Sequence, residues 1–463
     1  MHRFSTIFLC ILLVTIVSLF LVKNEFPTSA RLANLAWPSK DWLAGVTPNF
    51  PASKGAGPIH VAVIESAGWH DEVWSAFVHG VGSQEIGVSM RMFKQSPRFG
   101  LPEIVNAFEL PHGVPEWEDW EDIVGEKLMD GDEQTPYHPD VIVLTTCEVG
   151  GGKMKDHLQK ILAEGKTYLF CAIHNTDQWF EPIPTHDEIW RPWAQKGLMS
   201  FIALSPAVKR TLQQQGLKTW PKDGEHRAAP PVHVYPPIFP VQLPPLPTPG
   251  SLDEGVMGRT NAFALQGNYE SFRRDFDTTF RRLGSYFYRT NNGSDQTSEA
   301  GVSPTEARND SAVELHLLGS GPNKPRVPEG LKSHVFFHDN LPYKEYYELL
   351  SQQAAILPAF STDKYYSIKA SSSIPASLIS GSPLVATARD LHAYSYLDEG
   401  SVWFQRDNET DFDVLARAFA LPREERIAKL RCVRDKAREV METNRRNMRE
   451  WLIHAGHKIG KSN

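Results

Sequence analysis

A histidine follows the first predicted strand of the chain, at a position where it could act as a base. The loop Glu65-Ser66-Ala67-Gly68-Trp69-His70-Asp71 comes at the end of the apolar run HVAVIES at 60–66. Imidazole titrates near neutral pH, so His70 beside Asp71 could serve as a general base. Gly68 allows a ligand to approach the backbone closely. The residues favour a second interpretation over this one, in which the loop only positions a substrate and Asp71 caps the next helix.

A second group of polar residues indicates a phosphate site. Lys369-Ala370-Ser371-Ser372-Ser373 lies at the predicted start of a helix over 369–380. A helix N-terminus offers unpaired N–H groups and the positive end of the helix dipole, and here three hydroxyls and one ammonium join them. Lys369, Ser371, Ser372 and Ser373 are therefore predicted to bind phosphate. Plain N-capping by Ser371 or Ser372 is the alternative for one of the serines.

The other sequence patterns do not predict a metal site or a glycine-rich nucleotide-binding motif. The D-x-D triplets at 130–132 and 275–277 resemble sites for a divalent ion, but neither follows a strand, which favours solvated charge. No His/Cys cluster has the spacing of a zinc site. The glycines at 150–152 predict a flexible loop, because no glycine-rich nucleotide fingerprint follows a strand there. No metal and no cofactor are predicted.

The first half of the chain alternates apolar runs with helical patterns, which predicts βαβ units and a parallel sheet. We expect one Rossmann-like domain over residues 58–235. Its predicted helices lie at 71–80 and 153–164, and a further helical pattern follows residue 205. Its predicted strands lie at 60–66, 140–146, 167–174, 201–205 and 232–237.

A segment with seven prolines in fifteen residues, 236–250, predicts a semi-rigid linker between domains. Beyond it the same alternation predicts a second Rossmann-like domain at 251–422, followed by charged amphipathic helices at 423–463. Its predicted strands lie at 261–267, 313–319, 334–338, 354–360 and 382–387, and its helices at 271–283, 343–352 and 369–380. A polar stretch at 291–311 is expected to be a mobile insertion. Two such halves would leave a cleft, where ligands commonly bind.

Composition excludes several classes of protein. Of the 463 residues, 41% are hydrophobic and 22% are charged, with 34 Pro and 4 Cys and a formal net charge of −7. The apolar fraction is enough for packed cores, which excludes wholesale disorder. Four cysteines exclude a disulfide scaffold, and the acidic balance argues against a nucleic-acid-binding protein. A globular protein of two or three domains remains.

The N-terminus carries an apolar run that predicts a membrane anchor. Residues 4–22 hold no charged side chain, and at 1.5 Å per residue they span about 28 Å, close to the hydrocarbon thickness of a bilayer. Lys23-Asn24-Glu25-Phe26 follows where a signal peptide would have small residues. An uncleaved anchor is therefore favoured over a cleaved signal. We expect a short tail at 1–3 and a stem at 23–57.

Potential glycosylation sites and cysteines bear on the compartment. Three N-x-S/T sequences occur, at Asn292, Asn309 and Asn408. They favour a type II protein of the Golgi or endoplasmic reticulum, with everything after the anchor in the lumen. Cys147, Cys171 and Cys432 would then face an oxidising compartment, and their odd number predicts at most one disulfide.

The second half resembles the GT-B fold of nucleotide-sugar glycosyltransferases, in particular the family 4-like group (glycosyl transferases group 1). The resemblance is a succession of elements over about 120 residues. IPASLISGSPLVAT carries the most specific match, because it resembles the G-x-P-V-V-A ending of that family. The other matching segments are ALQG with the following Ser271-Phe272-Arg273-Arg274, LHLLGSGP, and VFFHDNLPYKEYYELLSQQAAILPA.

The resemblance implies roles for residues in both halves. Gly267, Arg273 and Arg274 would meet the donor diphosphate on a basic helix after the first strand of the second half. His174, which ends TYLFCAIH, would lie beside the donor sugar, although a strand-end histidine bonded only to backbone is the alternative. The loop with Glu65, Gly68 and Asp71 would lie on the acceptor side, and FIALSPAVKRTLQQQG resembles the family's element there.

The chain departs from the family pattern at two positions. The family has two glutamates eight residues apart before the glycine that matches Gly381. Ile368 and Ala376 stand at those positions here, and neither side chain can bind sugar or ribose hydroxyls as a carboxylate would. The segment from Lys369 to Ser373 lies in their place.

The resemblance therefore implies a membrane-anchored glycosyltransferase with two Rossmann-like domains facing a cleft. It would move a sugar from a nucleotide-sugar to a glycan, protein or lipid acceptor, without a metal, using its basic residues to neutralise the leaving diphosphate. Two alternatives stay open: a non-catalytic glycan-binding or scaffold protein with this fold, and a nucleotide-sugar epimerase or hydrolase. No nucleic-acid partner is expected.

Overall fold

A computed structural model of the chain describes residues 57–85, 87–95, 97–121, 129–130, 133–136, 138–181, 185–218, 220, 229–247, 261–292 and 313–461. Residues Gly55–Asn463 form one compact unit. The predicted anchor, tail and stem up to residue 56, Asn309 and the insertion beyond Asn292 lie outside the described residues. Among the described helices, none combines the length and the apolarity needed to cross a bilayer.

A parallel seven-stranded sheet forms the first half. The described strands are β1 (Ile59–Glu65), β2 (Val88–Lys94), β3 (Trp117–Glu118), β4 (Met129–Asp130), β5 (Glu133–Pro136), β6 (Val141–Leu144), β7 (Tyr168–Ile173), β8 (Met199–Ala203) and β9 (Val232–Val234). The order across the sheet is β3-β2-β1-β6-β7-β8-β9, and β4 and β5 form a separate antiparallel hairpin. The helices are α1 (Asp71–Gly82), α2 (Leu101–Asn106), α3 (Cys147–Lys153), α4 (Lys155–Glu164), α5 (Arg191–Gln195) and α6 (Pro206–Thr211).

A parallel six-stranded sheet forms the second half. Its strands are β10 (Ala262–Gln266), β11 (Glu314–Gly319), β12 (Val335–Asp339), β13 (Ala355–Leu357), β14 (Leu384–Thr387) and β15 (Val402–Gln405), in the order β12-β11-β10-β13-β14-β15. The helices are α7 (Phe276–Asn292), α8 (Tyr343–Ser351), α9 (Ser373–Ser380), α10 (Ala388–Ala393), α11 (Asp411–Ala420) and α12 (Arg423–Lys458). The prediction of two parallel-sheet α/β halves is confirmed.

The central strands of the first sheet are buried, which explains why their apolar sequences predict them. Every residue of β6, β7 and β8 is buried, as expected for parallel strands that are covered on both faces. The C-terminal helix α12 also packs on the first half, against α1, β6 and β7. The Asn444 side chain donates to the Pro236 carbonyl at 2.8 Å, and the Trp451 ring stacks on His233. The last helix therefore returns to the first half.

Two local predictions differ from the structure. The glycines at 150–152 lie in α3 and not in a flexible loop, because small residues are needed for close packing: a Cβ on Gly151 would lie 2.3 Å from the Trp190 ring. The proline-rich linker, described up to residue 247, is more than a spacer. Its Ile238 and Phe239 side chains are buried in a hydrophobic core to which both halves contribute.

The predicted basic helix also starts later than expected. Residues 271–273 form a turn, Arg274 forms an isolated bridge with Phe360, and α7 begins at Phe276. The Asp275 carboxylate accepts a hydrogen bond from the Thr278 N–H at 3.0 Å. This aspartate of the second D-x-D triplet therefore caps the helix, whereas Asp277 is exposed, as predicted for solvated charge.

Candidate functional site

Both sheets carry their polar loops at the carboxyl ends of their central strands. β1 lies between β2 and β6, and β10 lies between β11 and β13. The strand order reverses beside β1 and beside β10, and doubly wound sheets bind ligands at such switch points. The predicted site residues of each half follow these central strands or their neighbours.

Glu65 fixes the shape of the loop after β1. Its side chain has no exposed surface. One carboxylate oxygen accepts from the N–H groups of Ala67 and Gly68, at 2.7 and 3.1 Å, and the other accepts from the hydroxyls of Thr145 and Thr146, at 2.7 and 2.8 Å. Glu65 thus joins the ends of β1 and β6, and both of its carboxylate oxygens are hydrogen-bonded to groups of the protein.

The Asp71 carboxylate is also bound by other side chains of the protein. Its buried carboxylate lies 2.6 Å from the Lys94 ammonium and 3.6 Å from Arg98, and it accepts a hydrogen bond from the Tyr343 hydroxyl of the second half at 3.2 Å. The expected helix cap by Asp71 is wrong, because His70 occupies the N-cap position, where no side chain caps the helix. Asp71 is instead the first helical residue and ties α1 to α8.

His70 and His174 lie against each other at the end of the first sheet. Their ring centroids are 3.9 Å apart. His70 has a left-handed backbone with φ of 80°, a conformation that costs energy in most residues and often marks functional sites. Burial, followed by the charges of His174, Arg98, Lys94 and Arg273, holds the pKa of His70 well below its ordinary value. His70 is therefore a neutral imidazole at pH 7.

His174 is oriented by backbone groups. Its Nε2 lies 2.7 Å from the Thr145 carbonyl oxygen, and since a carbonyl only accepts, Nε2 donates and Nδ1 carries the lone pair in the neutral ring. The Glu148 carboxylate accepts from the N–H groups of His174 and Asn175 at 2.6 and 2.8 Å. Burial raises the pKa of Glu148. A disulfide between Cys147 and Cys171 holds the same two segments together, while Cys432 is free and exposed.

Glycines bring the first two loops of the second sheet into contact. Gly267 follows β10 with φ of 134°, and its carbonyl oxygen lies so near Gly319 that a Cβ there would be 1.9 Å away. A side chain at position 319 would therefore separate the loops after β10 and β11. Gly267 itself lies beside the Arg274 guanidinium.

Arg274 is a buried cation without an acidic partner in the described residues. Its guanidinium donates to the carbonyls of Gln266 and Arg273 and to the Ser373 hydroxyl, and it lies over the rings of Phe360 and Tyr365. Burial lowers the pKa of Arg274, although arginine stays charged. Its neighbour Arg273 is half exposed and pairs with Glu270.

Lys369 is a partly buried ammonium at the cleft. Burial lowers the pKa of Lys369, and the charges of Lys364 and Arg273 act in the same direction. Asp177 acts in the opposite direction, but its carboxylate pairs with Lys364 at 2.9 Å. Within the described part of the chain no ion pair neutralises Lys369. Its positive charge is therefore open to a ligand.

The three predicted serines are not equivalent. Ser371 and Ser373 are buried, and the Ser371 hydroxyl accepts from the Ser373 N–H at 3.2 Å. Ser373 donates to the Gln266 side chain at 2.9 Å, and Ser372 bonds the same amide at 3.2 Å. Ser372 alone of the three lines the cavity described below. The expected convergence of three hydroxyls on phosphate is thus reduced to one, because two of them serve the packing of α9.

The two halves touch directly beside these groups. Asn175 forms an isolated antiparallel bridge with Lys369, and the Thr176 N–H donates to the Ile368 carbonyl at 3.0 Å. His174 is therefore brought next to the Lys369 segment from the opposite half. This contact unites the predicted catalytic and phosphate-binding residues at one cleft.

A cavity of about 140 Å³ opens between the halves. The first half contributes Glu72 and Phe99, and the second half contributes loops after β10, β11 and β12 with one face of α8 and the start of α9. The second-half residues that line the cavity include Gln266, Gly267, Tyr346, Ser372 and Ala376. The cavity and the His70–His174 pair lie at the same edge of the two sheets.

Sequence reasoning missed Glu72, Glu148, Gln266 and the half-exposed ring of Trp69, which is adjacent to His70. Glu148 could have been found, since it lies soon after β6, whose end adjoins β1 in a doubly wound sheet. Glu72 could not, because its sequence position beside Asp71 does not show which of the two enters the cavity. Of the predicted glycosylation sites, Asn408 is exposed and Asn292 ends α7.

No protein-family model matches the chain, and no curated protein matches its sequence. Solved structures similar to it include HepE of Anabaena in complex with UDP and glucose, at 12% identity and a TM-score of 0.48, covering 85% of this chain and 99% of that one. The Candida albicans trehalose-6-phosphate phosphatase N-terminal domain is similar at 9% identity and a TM-score of 0.48, covering 87% and 98%. A Thermobaculum terrenum O-GlcNAc transferase mutant is similar at 12% identity and a TM-score of 0.44, covering 88% and 68%. None of these likenesses assigns an activity to this chain, whose two Rossmann-type halves are defined by its own strand order.

Proposed function

We propose that the chain is a GT-B glycosyltransferase that transfers a sugar from a nucleotide-sugar donor to a glycan, protein or lipid acceptor. The observation that carries this proposal is that imidazole side chains of one half and cationic side chains of the other lie at the same cleft. The first half contributes the adjacent imidazole rings of His70 and His174, and the second contributes Lys369 and Arg274, two cations without an acidic partner in the described residues. Imidazoles suit proton transfer from a hydroxyl, and cations suit a leaving diphosphate.

The donor diphosphate would lie between the loop after β10 and the start of α9. Lys369 and Arg273 supply charge at its surface, with the Ser372 hydroxyl as an additional donor. Arg274 lies behind them as a buried positive charge that an anion would stabilise. These groups would offset the charge that develops on the diphosphate as the bond to the sugar breaks. No metal is assigned to this role.

The acceptor hydroxyl would attack the anomeric carbon from the side of the histidines. His70 is neutral because of its lowered pKa, so its ring can take the hydroxyl proton as the new bond forms. The Nδ1 lone pair of His174 can accept a hydrogen bond from the donor sugar, since Nε2 already donates to Thr145. Glu65 and Asp71 support this arrangement from within the protein.

Trp69 is the residue of the first loop that we assign to the acceptor. Its ring is 50% exposed, directly before His70. An exposed aromatic ring offers an apolar face to the C–H groups of a sugar, with a polar N–H at its edge. An acceptor stacked on Trp69 would present a hydroxyl to the neighbouring imidazole.

We place this activity in the lumen of the Golgi or endoplasmic reticulum, behind the predicted anchor at 4–22. The Cys147–Cys171 disulfide supports that setting, because disulfides persist in oxidising compartments and are rare in the cytosol. The exposed Asn408 is a further glycosylation candidate. Peptide mass analysis of the protein from a eukaryotic host would test both modifications.

A transfer assay tests the proposed function. The full chain in detergent is incubated with UDP- and GDP-sugars labelled in the sugar, with and without a panel of glycan acceptors. We expect label in an acceptor product and release of nucleoside diphosphate. An epimerised or hydrolysed sugar formed at the same rate without acceptor would favour an epimerase or hydrolase. Consumption of no donor, together with no binding of any nucleotide, would contradict the proposal.

A further inference from the structure

A carboxylate of the first half reaches the cavity that the second half largely forms. Glu72 is the second residue of α1, and it lines the cavity opposite Gln266, Tyr346 and Ser372. Burial raises the pKa of Tyr346 and of Tyr347 on α8, and the charge of Glu72 acts in the same direction. Glu72 is therefore close to the second half although it belongs to the first.

Glu72 differs from its neighbour Asp71 in what it does within the protein. Asp71 pairs with Lys94 and receives the Tyr343 hydroxyl. Glu72 is partly buried, and burial raises the pKa of its carboxyl group while its own backbone N–H acts in the opposite direction. No ion pair or side-chain hydrogen bond joins this carboxyl group to another residue that the structure describes. Burying an acceptor of this strength without partners is unfavourable. The cavity therefore offers a carboxylate whose hydrogen bonds a ligand can complete.

The surroundings restrict which ligand group can bind there. The Arg98 guanidinium lies close enough to act on the Glu72 charge, so a further cation from a ligand would meet repulsion. Neutral hydrogen-bond donors are favoured instead. Two adjacent hydroxyls fit best, because the two oxygens of one carboxylate can accept from both at once.

The position of the cavity indicates where such a diol would come from. Gly267 and Ser372 line both the cavity and the proposed diphosphate site, so a nucleoside diphosphate bound there would extend its ribose into the cavity. Ala376, on the second-half wall, presents only a methyl group. Resting on the proposed function, we propose that Glu72 binds the 2′- and 3′-hydroxyls of the donor ribose across the cleft.

This assignment makes the nucleotide a bridge between the halves. The phosphates would be held by the second half and the ribose by a side chain of the first. The hydrogen bond from Tyr343 to Asp71 fixes the start of α1 against α8, which keeps Glu72 at the cavity. Ribose recognition would then depend on a residue that the second half alone does not contain.

A ligand-by-variant comparison tests the proposal by isothermal titration of the full chain. The probes are UDP, GDP and their 2′,3′-dideoxy forms, and the variants are Glu72→Gln, Glu72→Ala and, as a control, Glu109→Gln at an exposed position of the same half. We expect the wild type and the control to bind the ribose forms about 10- to 100-fold more tightly than the dideoxy forms, as hydrogen bonds to a charged group predict. Glu72→Ala should bind both forms equally, and Glu72→Gln should retain part of the difference.

The outcomes separate this proposal from the proposed function. A wild type that binds ribose and dideoxy forms equally overturns the role of Glu72 and leaves the nucleotide site intact. A Glu72→Ala variant that binds more weakly but keeps the full preference for ribose also overturns it. A wild type that binds none of the probes overturns both proposals. Circular dichroism and melting temperature confirm folding, and the Gln variant decides the matter if the Ala variant is unstable.

Discussion

The charged residues of the cleft divide into those that hold the protein together and those left for a ligand. The Glu65 carboxylate is bound by residues of its own half, and the Asp71 carboxylate accepts a hydrogen bond from Tyr343 of the opposite half. Lys369 and Glu72 have no such partners among the described residues. A ligand that carries a diphosphate and a diol complements both at once, which is why we favour a nucleotide-sugar.

At the residue scale, His70→Asn tests the proposed base. Asparagine tolerates the left-handed backbone of this position, so the variant removes the imidazole with little strain. We expect kcat for sugar transfer to fall about 100-fold or more, with donor affinity unchanged. Steady-state kinetics and a donor titration measure the two effects. A variant with wild-type kcat would show that His70 is not the base.

At the element scale, the tight contact between the loops after β10 and β11 is the feature most easily broken. In Gly319→Ala the new methyl group would collide with the Gly267 carbonyl oxygen. We expect the free energy of unfolding to fall by about 1–3 kcal/mol, as for other overpacked sites, and nucleotide affinity to fall with it. Denaturant titration measures the first effect. Gly330→Ala, where a Cβ meets nothing within 4 Å, is the control and should change neither.

The elements best predicted from the sequence are those whose pattern is local. β1, β6, β7 and β11 are rich in buried apolar residues, and the sequence predicts each within a residue or two of its bounds. β2 is missed by the sequence prediction, because its sequence VSMRMFK alternates and its first four residues are partly exposed or exposed. A strand in which apolar and polar residues alternate gives a weaker signal than a run of consecutive apolar residues.

The candidate site was predicted to the level of loops but not of single side chains. A strand followed by His70 or His174 marks the correct edge of a sheet, since the rule depends on topology. Whether Glu65 faces a ligand depends on Thr145 and Thr146, about 80 residues away along the chain. Partners at that separation are set by tertiary packing, so the sequence could not show that Glu65 is used internally.

At the scale of the whole molecule, buried histidines make the fold sensitive to acid. Burial lowers the pKa of His186 and of His233 to about 4. Between pH 6.5 and that value the unfolded chain binds protons that the folded chain does not, so stability falls as the pH decreases through this range.

His186→Phe tests this acid sensitivity, because a phenyl ring can keep the stacking on Trp179 without titrating. We expect the melting temperature of the variant to decline less than that of the wild type between pH 7 and pH 5. Adding His233→Phe should reduce the decline further. Parallel curves for the wild type and both variants would contradict the explanation.

The central claim is that the cleft between the two halves binds a nucleoside diphosphate through unneutralised cations. The most direct measurement is a titration of UDP, GDP and ADP into the wild type, Lys369→Ala and Lys332→Ala, the last being an exposed lysine of the same half. We predict that at least one nucleotide binds the wild type and Lys332→Ala equally, and binds Lys369→Ala about 10- to 100-fold more weakly, as loss of a charge-assisted contact predicts. Equal affinities for all three proteins, or no binding of any nucleotide to the wild type, would contradict the claim.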